Sequence, residues 1–151
     1  MSVHIRAFEP ADRDGFLAMW QAFTATAPDE PGNPEVGQLN FQRVMDGGPL
    51  RGIVALDESK RLVGFALFLC FPFTWARGDA CYLQDIFVTE EARGRGAAGV
   101  MIEHLVALGR AEGWFKIFWM TQPDNHSAQR VYERVAQRMD YLRYDLNISP
   151  A

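Results

Sequence analysis

Along this chain the spacing of apolar positions switches several times between two and three-to-four, and those switches divide it into elements. Val3, Ile5 and Ala7 alternate with His4, Arg6 and Phe8, the period of a first strand. Pro10 suits the first position of a helix, Asp12 and Asp14 lie where acids complement its dipole, and Phe16, Trp20 and Phe23 form its buried stripe. Three prolines and a glycine within residues 28–34 break that helix into a loop. A second helix runs from about residue 35 to 45 and stops at Gly47-Gly48-Pro49. Residues 53–56 and 62–71 read as strands joined by the polar turn Asp57-Glu58-Ser59-Lys60, and residues 72–79 as a loop.

The strongest signal is the run that follows. Residues 83–88 are β-branched and aromatic enough for a strand, and Ala98, Met101, Leu105 and Leu108 then recur on one helical face. Gly113 is placed to cap that helix. Residues 115–120 predict another strand, Gln122-Pro123-Asp124-Asn125 a turn, and residues 127–137 a short helix with Val131 and Val135 on one side. A last strand is expected over residues 141–148. The order β-α-α-β-β-β-α-β-α-β belongs to the α+β class, a mixed sheet with helices on its faces.

Composition narrows the picture. At 151 residues the chain has room for one domain, residues 1–151, with a real core but hardly for two. A net charge of −4 argues against general nucleic-acid affinity and permits attraction of cations. The acidic pair Asp29-Glu30 fits such attraction, although a solvated acidic loop is the commoner case. The longest apolar run, residues 62–73, is too short to cross a bilayer, and the first 14 residues lack the apolar stretch of a signal peptide. No membrane association and a cytoplasmic location are expected. Cys70 and Cys81 sit in apolar strand-like runs without paired spacing and read as buried free thiols. His4, His104 and His126 lack metal-ligand spacing, so no metal is expected, and no Ser-His-Asp order suggests a hydrolase.

Between the strand at 83–88 and its helix lies Arg93-Gly94-Arg95-Gly96-Ala97-Ala98-Gly99. Small residues at a helix start leave amide N–H groups open, and the helix dipole and two arginines add positive potential. This is a cradle for an anion, best suited to phosphate. No Lys-Ser/Thr follows the glycines, which excludes a Walker loop, and the spaced glycines and downstream acid of a dinucleotide fold are missing.

Arg93-x-x-Gly96-x-Ala98 resembles the pyrophosphate-binding signature of the GNAT superfamily of acetyl-CoA-dependent N-acetyltransferases. Asn125-x-x-Ala128-x-x-x-Tyr132 resembles a second motif of that family, and the element order from Ile5 to Leu146 is similar to the family's. Tyr82-Leu83-Gln84-Asp85-Ile86-Phe87-Val88 and Phe118-Trp119-Met120-Thr121-Gln122 look like the branch of diamine and yeast Hpa-type acetyltransferases. The resemblance implies a GNAT-like, mostly antiparallel sheet with helices on both faces and acetyl-CoA as co-substrate. It also implies direct acetyl transfer in a ternary complex to a primary amine of a small molecule, such as a polyamine or amino acid. A peptide lysine or N-terminal amine stands behind that, and a non-catalytic acyl-CoA-binding or sensing module is the alternative of another class.

Carried over residue by residue, the resemblance gives backbone groups of Phe87, Val88 and Thr89 to the pantetheine amides, with the Val88 N–H facing the acetyl oxygen. Arg93, Gly94, Arg95, Gly96, Ala97, Ala98 and Gly99 hold the pyrophosphate, Asn125 contacts the pantetheine arm, and Tyr132 is the general acid. Asn125 also fits a helix cap, and Tyr132 ordinary packing. One departure concerns the base, because Gln84 stands where diamine acetyltransferases carry glutamate, and an amide cannot accept the amine's proton. Strand alternation turns Asp85 to the face opposite Gln84 unless a bulge intervenes. Three readings stay open: Asp85 acts, water relays the proton, or the amine arrives neutral. Gln84 and Trp75 are substrate-facing candidates, in a pocket expected from loops at residues 24–40 and 71–79. Apolar edge material in the closing strand (Tyr141, Leu142, Tyr144 and Leu146) and the habit of this branch point to a homodimer.

Overall fold

The computed structural model describes residues 2–27 and 33–150. Asp29 and Glu30 therefore lie outside the described residues. The chain forms two compact units, Met1–Met120 and Thr121–Ala151.

The first unit carries five strands in the order β1-β2-β3-β4-β5: β1 His4–Ala7, β2 Arg51–Leu56, β3 Leu62–Phe71, β4 Ala80–Val88 and β5 Lys116–Phe118. Neighbours pair antiparallel except β4 and β5, which run parallel. Parallel neighbours need a crossover, and the helix α3, Ala97–Glu112, supplies it. Before β2 come α1, Arg13–Thr24, and α2, Pro34–Met45. Pro10 opens a 3-10 turn, Pro10–Asp12, rather than α1 itself. At the start of α2, Asn33 accepts the Glu35 amide through its side chain, and Pro34 occupies the first position, where no N–H is needed.

Strand alternation sorts the core. Val54, Leu56, Phe65 and Leu67 join Phe8, Phe16, Trp20 and Phe41 in one cluster beneath α1 and α2. Phe65 is fully buried, with the Phe16 ring 5.1 Å and the Phe87 ring 5.8 Å away, distances typical of favourable aromatic contacts. The opposite face meets α3, whose Met101, Ile102 and Leu105 are buried. There Gly64 lets the helix come close: a Cβ at that position would stand 3.2 Å from Met101 Cε and 2.7 Å from the Phe87 carbonyl oxygen. Helices thus cover both faces of a mixed, mostly antiparallel sheet, and the α+β expectation holds.

Cys70 and Cys81 face one another across β3 and β4 as free thiols, and burial pushes both above the ordinary thiol range. Gly113, at φ 76°, ends α3 in the left-handed conformation the sequence anticipates.

The second unit contains α4, His126–Tyr132. It stops short of the 127–137 expectation. No strand forms at residues 141–148 among the described residues, where Leu142 is 79% and Ile148 94% exposed. Alternating apolar residues offer a face, but a strand exists only through ladder hydrogen bonds to a neighbour, which alternation alone does not supply. Within the segment Arg143 Nε and Asp145 Oδ1 form an ion pair at 2.7 Å.

Asp12 fixes the entry to α1. It is buried, Arg6 donates to both carboxylate oxygens at 2.7 and 2.8 Å, and the Glu9 amide donates at 2.7 Å. The Arg6 hydrogen bonds hold this carboxyl below the usual range despite its burial. A depressed folded-state pKa contributes stability that is full above the unfolded value of about 3.9 and is lost as pH falls through the folded one. Asp12→Asn should therefore cost roughly 1.5–3 kcal/mol at pH 7. In urea titrations the gap from the parent protein should close below about pH 4.

Candidate functional site

β4 is the scaffold of the site, and its two edges differ. On one side it pairs with β3 from Ala80 to Val88; on the other it pairs with β5 only from Ala80 to Tyr82. Thr89 donates its N–H to the Val63 carbonyl at 2.9 Å, so its backbone faces β3. Strand alternation then directs the Phe87 groups to β3 as well and turns the Val88 N–H and C=O to the edge that β5 has left. Arg93 Nε reaches that edge and donates to the Val88 carbonyl at 3.1 Å, with the guanidinium 5.8 Å from the Phe87 ring centroid. Of the three residues expected to lend backbone groups, Val88 is the one whose N–H faces the unpaired edge. Thr89 has its N–H in the ladder.

The chain then passes through a 3-10 turn, Glu90–Ala92, and a glycine-rich bend into α3. Gly94 and Gly96 sit at φ 73° and 84°, a left-handed backbone that other residues adopt only with strain. Gly96 is the N-cap of α3 and offers no side chain to cap the helix, and the first turn holds no acid. The Val100 N–H donates to the Gly96 carbonyl, the first bond inside the helix. The amides of Ala97, Ala98 and Gly99 precede that bond and have no intrahelical partner. Nothing stands within 4 Å of a Cβ built at Gly94, Gly96 or Gly99, so a side chain at any of the three would meet open space. Arg93 and Arg95 are exposed beside them. Open backbone N–H groups and the positive end of the helix dipole coincide here, the combination that suits an anion.

A second feature lies on the α2 side of the sheet. Between β3 and β4 the register shifts: Leu67 faces Asp85, whereas the next residue, Phe68, faces Leu83. Gln84 is the extra residue of a β-bulge. The bulge changes which face each side chain takes, so Gln84 and Asp85 both line one cavity of about 440 Å3. Asn40, Arg43 and Asp46 of α2 and its C-terminal cap, the following Gly48, Pro49 and Leu50, and Leu67 and Leu69 of β3 complete the walls. The alternation that would have separated Gln84 from Asp85 is broken here by the one device that allows both to point the same way.

Trp75 does not join this cavity. It is 87% exposed in the loop after β3, and residues 71–79 contribute nothing to the lining. Asn40, Arg43 and Asp46 were not read from the sequence as site residues, although their spacing of three is a visible polar stripe on one face of α2.

In the second unit Asn125 is the N-cap of α4, its side-chain oxygen accepting from the Ala128 amide at 3.3 Å and from Ser127 Oγ at 3.4 Å. That capping uses the amide oxygen alone. Tyr132 ends the same helix, half-buried, and burial raises its phenol above the ordinary range. The hydroxyl therefore remains a proton donor throughout neutral pH. No group of three or more His, Cys, Asp or Glu side chains among the described residues is arranged to hold a metal ion, and no helix among them is long and apolar enough to cross a membrane.

Comparison with known proteins places this geometry in context. The model of the acetyltransferase (GNAT) family matches residues 16–136. The D-amino-acid N-acetyltransferase HPA3 of Saccharomyces cerevisiae is 32% identical over 148 residues, covering 95% of this chain and 89% of its own. Among solved structures, a probable acetyltransferase superposes with a TM-score of 0.85 at 24% identity, over 98% of this chain and 99% of its own. The ribosomal-protein-alanine N-acetyltransferase of Brucella melitensis biovar Abortus 2308 does so at 0.81 and 21%, over 97% and 100%. These two likenesses concern the fold. The family match spans the β4 edge, the glycine bend and α4 alike, so the chain belongs to the acetyltransferase (GNAT) family and is an acyltransferase.

Proposed function

We propose that the protein transfers an acetyl group from acetyl-CoA directly to the primary amine of a small molecule, with both substrates bound at once. The observation that carries this reading is the conjunction on β4: an unpaired strand edge presenting Val88 leads within a few residues into an uncapped, acid-free helix start. The first suits the amide-bearing pantetheine arm and the second the diphosphate of coenzyme A. Backbone donors at Arg93, Gly94, Arg95, Gly96, Ala97, Ala98 and Gly99 would hold that diphosphate, and the amide of Asn125 would meet the arm. The D-amino-acid acetyltransferase relative supports a small amine as acceptor.

In the reaction an ammonium first loses a proton, and its nitrogen lone pair attacks the thioester carbonyl carbon. Asp85, brought by the bulge to the same cavity as Gln84, is the candidate acceptor of that proton. The Val88 N–H stabilises the negative charge that develops on the carbonyl oxygen. As the C–S bond breaks, the departing sulfur takes the Tyr132 hydroxyl proton, and the nitrogen sheds its second proton to form a neutral amide. The phenolate recovers a proton from solvent, leaving the amide, free coenzyme A and one proton released overall.

We also infer a homodimer in which a second copy covers the exposed apolar residues of 141–148. A cytoplasmic setting suits the two facing thiols, which are free rather than bridged.

Gly99→Asp tests the diphosphate cradle, because the new side chain has open space and an acid in a helix's first turn is well tolerated. Thermal stability should be retained while acetyl-CoA affinity, measured by calorimetry, falls about tenfold or more. An unbound parent protein, with neither heat nor thermal shift, would end the acetyl-CoA reading. Tyr132→Phe should lower turnover by roughly 10²–10⁴-fold with acetyl-CoA binding kept. Equal thiol release by both proteins across an amine panel would remove Tyr132 from catalysis. Sedimentation at micromolar concentration should give the dimer mass, and a monomer mass would contradict the pairing.

A further inference from the structure

The cavity at the β-bulge contains charges of both signs, and they restrict its occupant more than the general class of amines does. Asp85 and Asp46 bring carboxylates to it, and Arg43 brings a guanidinium. Arg43 lies in the last turn of α2, where a cation also complements the helix dipole. Its placement has a further cause. Asn40, one turn earlier and 8% exposed, accepts a hydrogen bond from Arg43 Nη1 at 3.1 Å, which ties the guanidinium to the cavity wall. Among the described residues no carboxylate forms an ion pair with Arg43. A guanidinium carries five donors in a planar fork, and the bond to Asn40 commits one of them.

We propose that this cavity selects an α-amino acid in its zwitterionic form, with Arg43 receiving the α-carboxylate and Asp85 facing the α-ammonium. The proposal rests on the N-acetyltransferase reading and specifies its acceptor. A planar fork of donors is matched to a carboxylate, which it binds by paired, charge-assisted hydrogen bonds. At the position beside Arg43 the same positive charge repels a second ammonium, so that position discriminates by repulsion as well as attraction. Pro49, Leu50, Leu67 and Leu69 supply apolar wall for the amino acid's side chain, favouring residues such as leucine and phenylalanine. A volume of about 440 Å3 is of the size that small-molecule sites occupy.

The test compares D- and L-leucine, leucinamide, isopentylamine (leucine without its carboxylate) and spermidine as acceptors for the parent protein, Arg43→Gln and Arg43→Lys. For the parent, one enantiomer of leucine should have the highest kcat/KM. Arg43→Gln should raise the KM for leucine about 10- to 100-fold, the span of a charge-assisted hydrogen bond. The KM for acetyl-CoA and for isopentylamine should stay within about twofold, and Arg43→Lys should recover part of the loss. A parent protein that uses isopentylamine or spermidine as well as leucine overturns the proposal. So does an Arg43→Gln protein that loses charged and uncharged acceptors equally. Equilibrium dialysis of radiolabelled leucine separates this failure from failure of the acetyltransferase reading. Leucine retained by the parent and not by Arg43→Gln upholds the assignment even without thiol release, and equal retention rejects it.

Discussion

β4 is bonded along its full length on one side and for only three residues on the other, and the site follows from that asymmetry. A strand inside a sheet has its backbone groups satisfied from both sides; one that loses a neighbour midway must present the remainder to something else. Here the loss begins after Tyr82, where the parallel pairing with β5 ends. The ring of Phe118 stacks on Tyr82 at 5.0 Å and marks the last point at which the two strands run together. Beyond it the Val88 carbonyl is met by a side chain, Arg93, and the Val88 amide faces the same opening. The strand then delivers the chain into α3, so one element sets both the unpaired edge and the start of the helix.

What holds β4 in place lies on either side of it. Gly64 on β3 allows Met101 of α3 to approach the sheet, and Arg51 on β2 clamps the far end of that helix through paired bonds to Glu112 at 2.8 and 2.9 Å. Trp114 donates to the same carboxylate at 3.0 Å, and the Arg51 guanidinium lies 5.1 Å from the Phe68 ring centroid. These groups are partly exposed, so the clamp gives direction more than energy. On the other face the aromatic cluster around Phe16 and Phe65 seats α1 and α2. Gly37 permits close contact between α1 and α2, since a Cβ there would collide with the Trp20 ring. α2 is thereby fixed against β3, and its polar stripe is carried to the bulge.

The bulge has a consequence for chemistry that strand periodicity alone would deny. Gln84 is an amide and no base, and in a regular strand the neighbouring Asp85 would belong to the opposite face. One extra residue between Leu83 and Asp85 reverses that outcome, so a carboxylate and an amide share one cavity with the Arg43 guanidinium. The cavity therefore has the means to hold a positive group and a negative group at once.

By itself the sequence determined the element order as far as α4, since each of those elements carries its own period and punctuation: the β3 bounds, the Gly113 cap and the glycine bend before α3 are local facts. The uncapped start of α3 was legible as well, because Gly96 has no side chain to cap it and no acid follows in the first turn. The side-chain environment of Asp85 was decided by tertiary structure, since a bulge is a property of two strands in register and leaves no mark on either alone. The same holds for Arg43, whose stripe on α2 was legible while the sheet it faces was not. The exposure of Trp75 depends likewise on where its loop lies. At residues 141–148 alternation could express a preference for strand, but hydrogen bonding to a neighbour makes a strand, and that neighbour is not encoded in the segment.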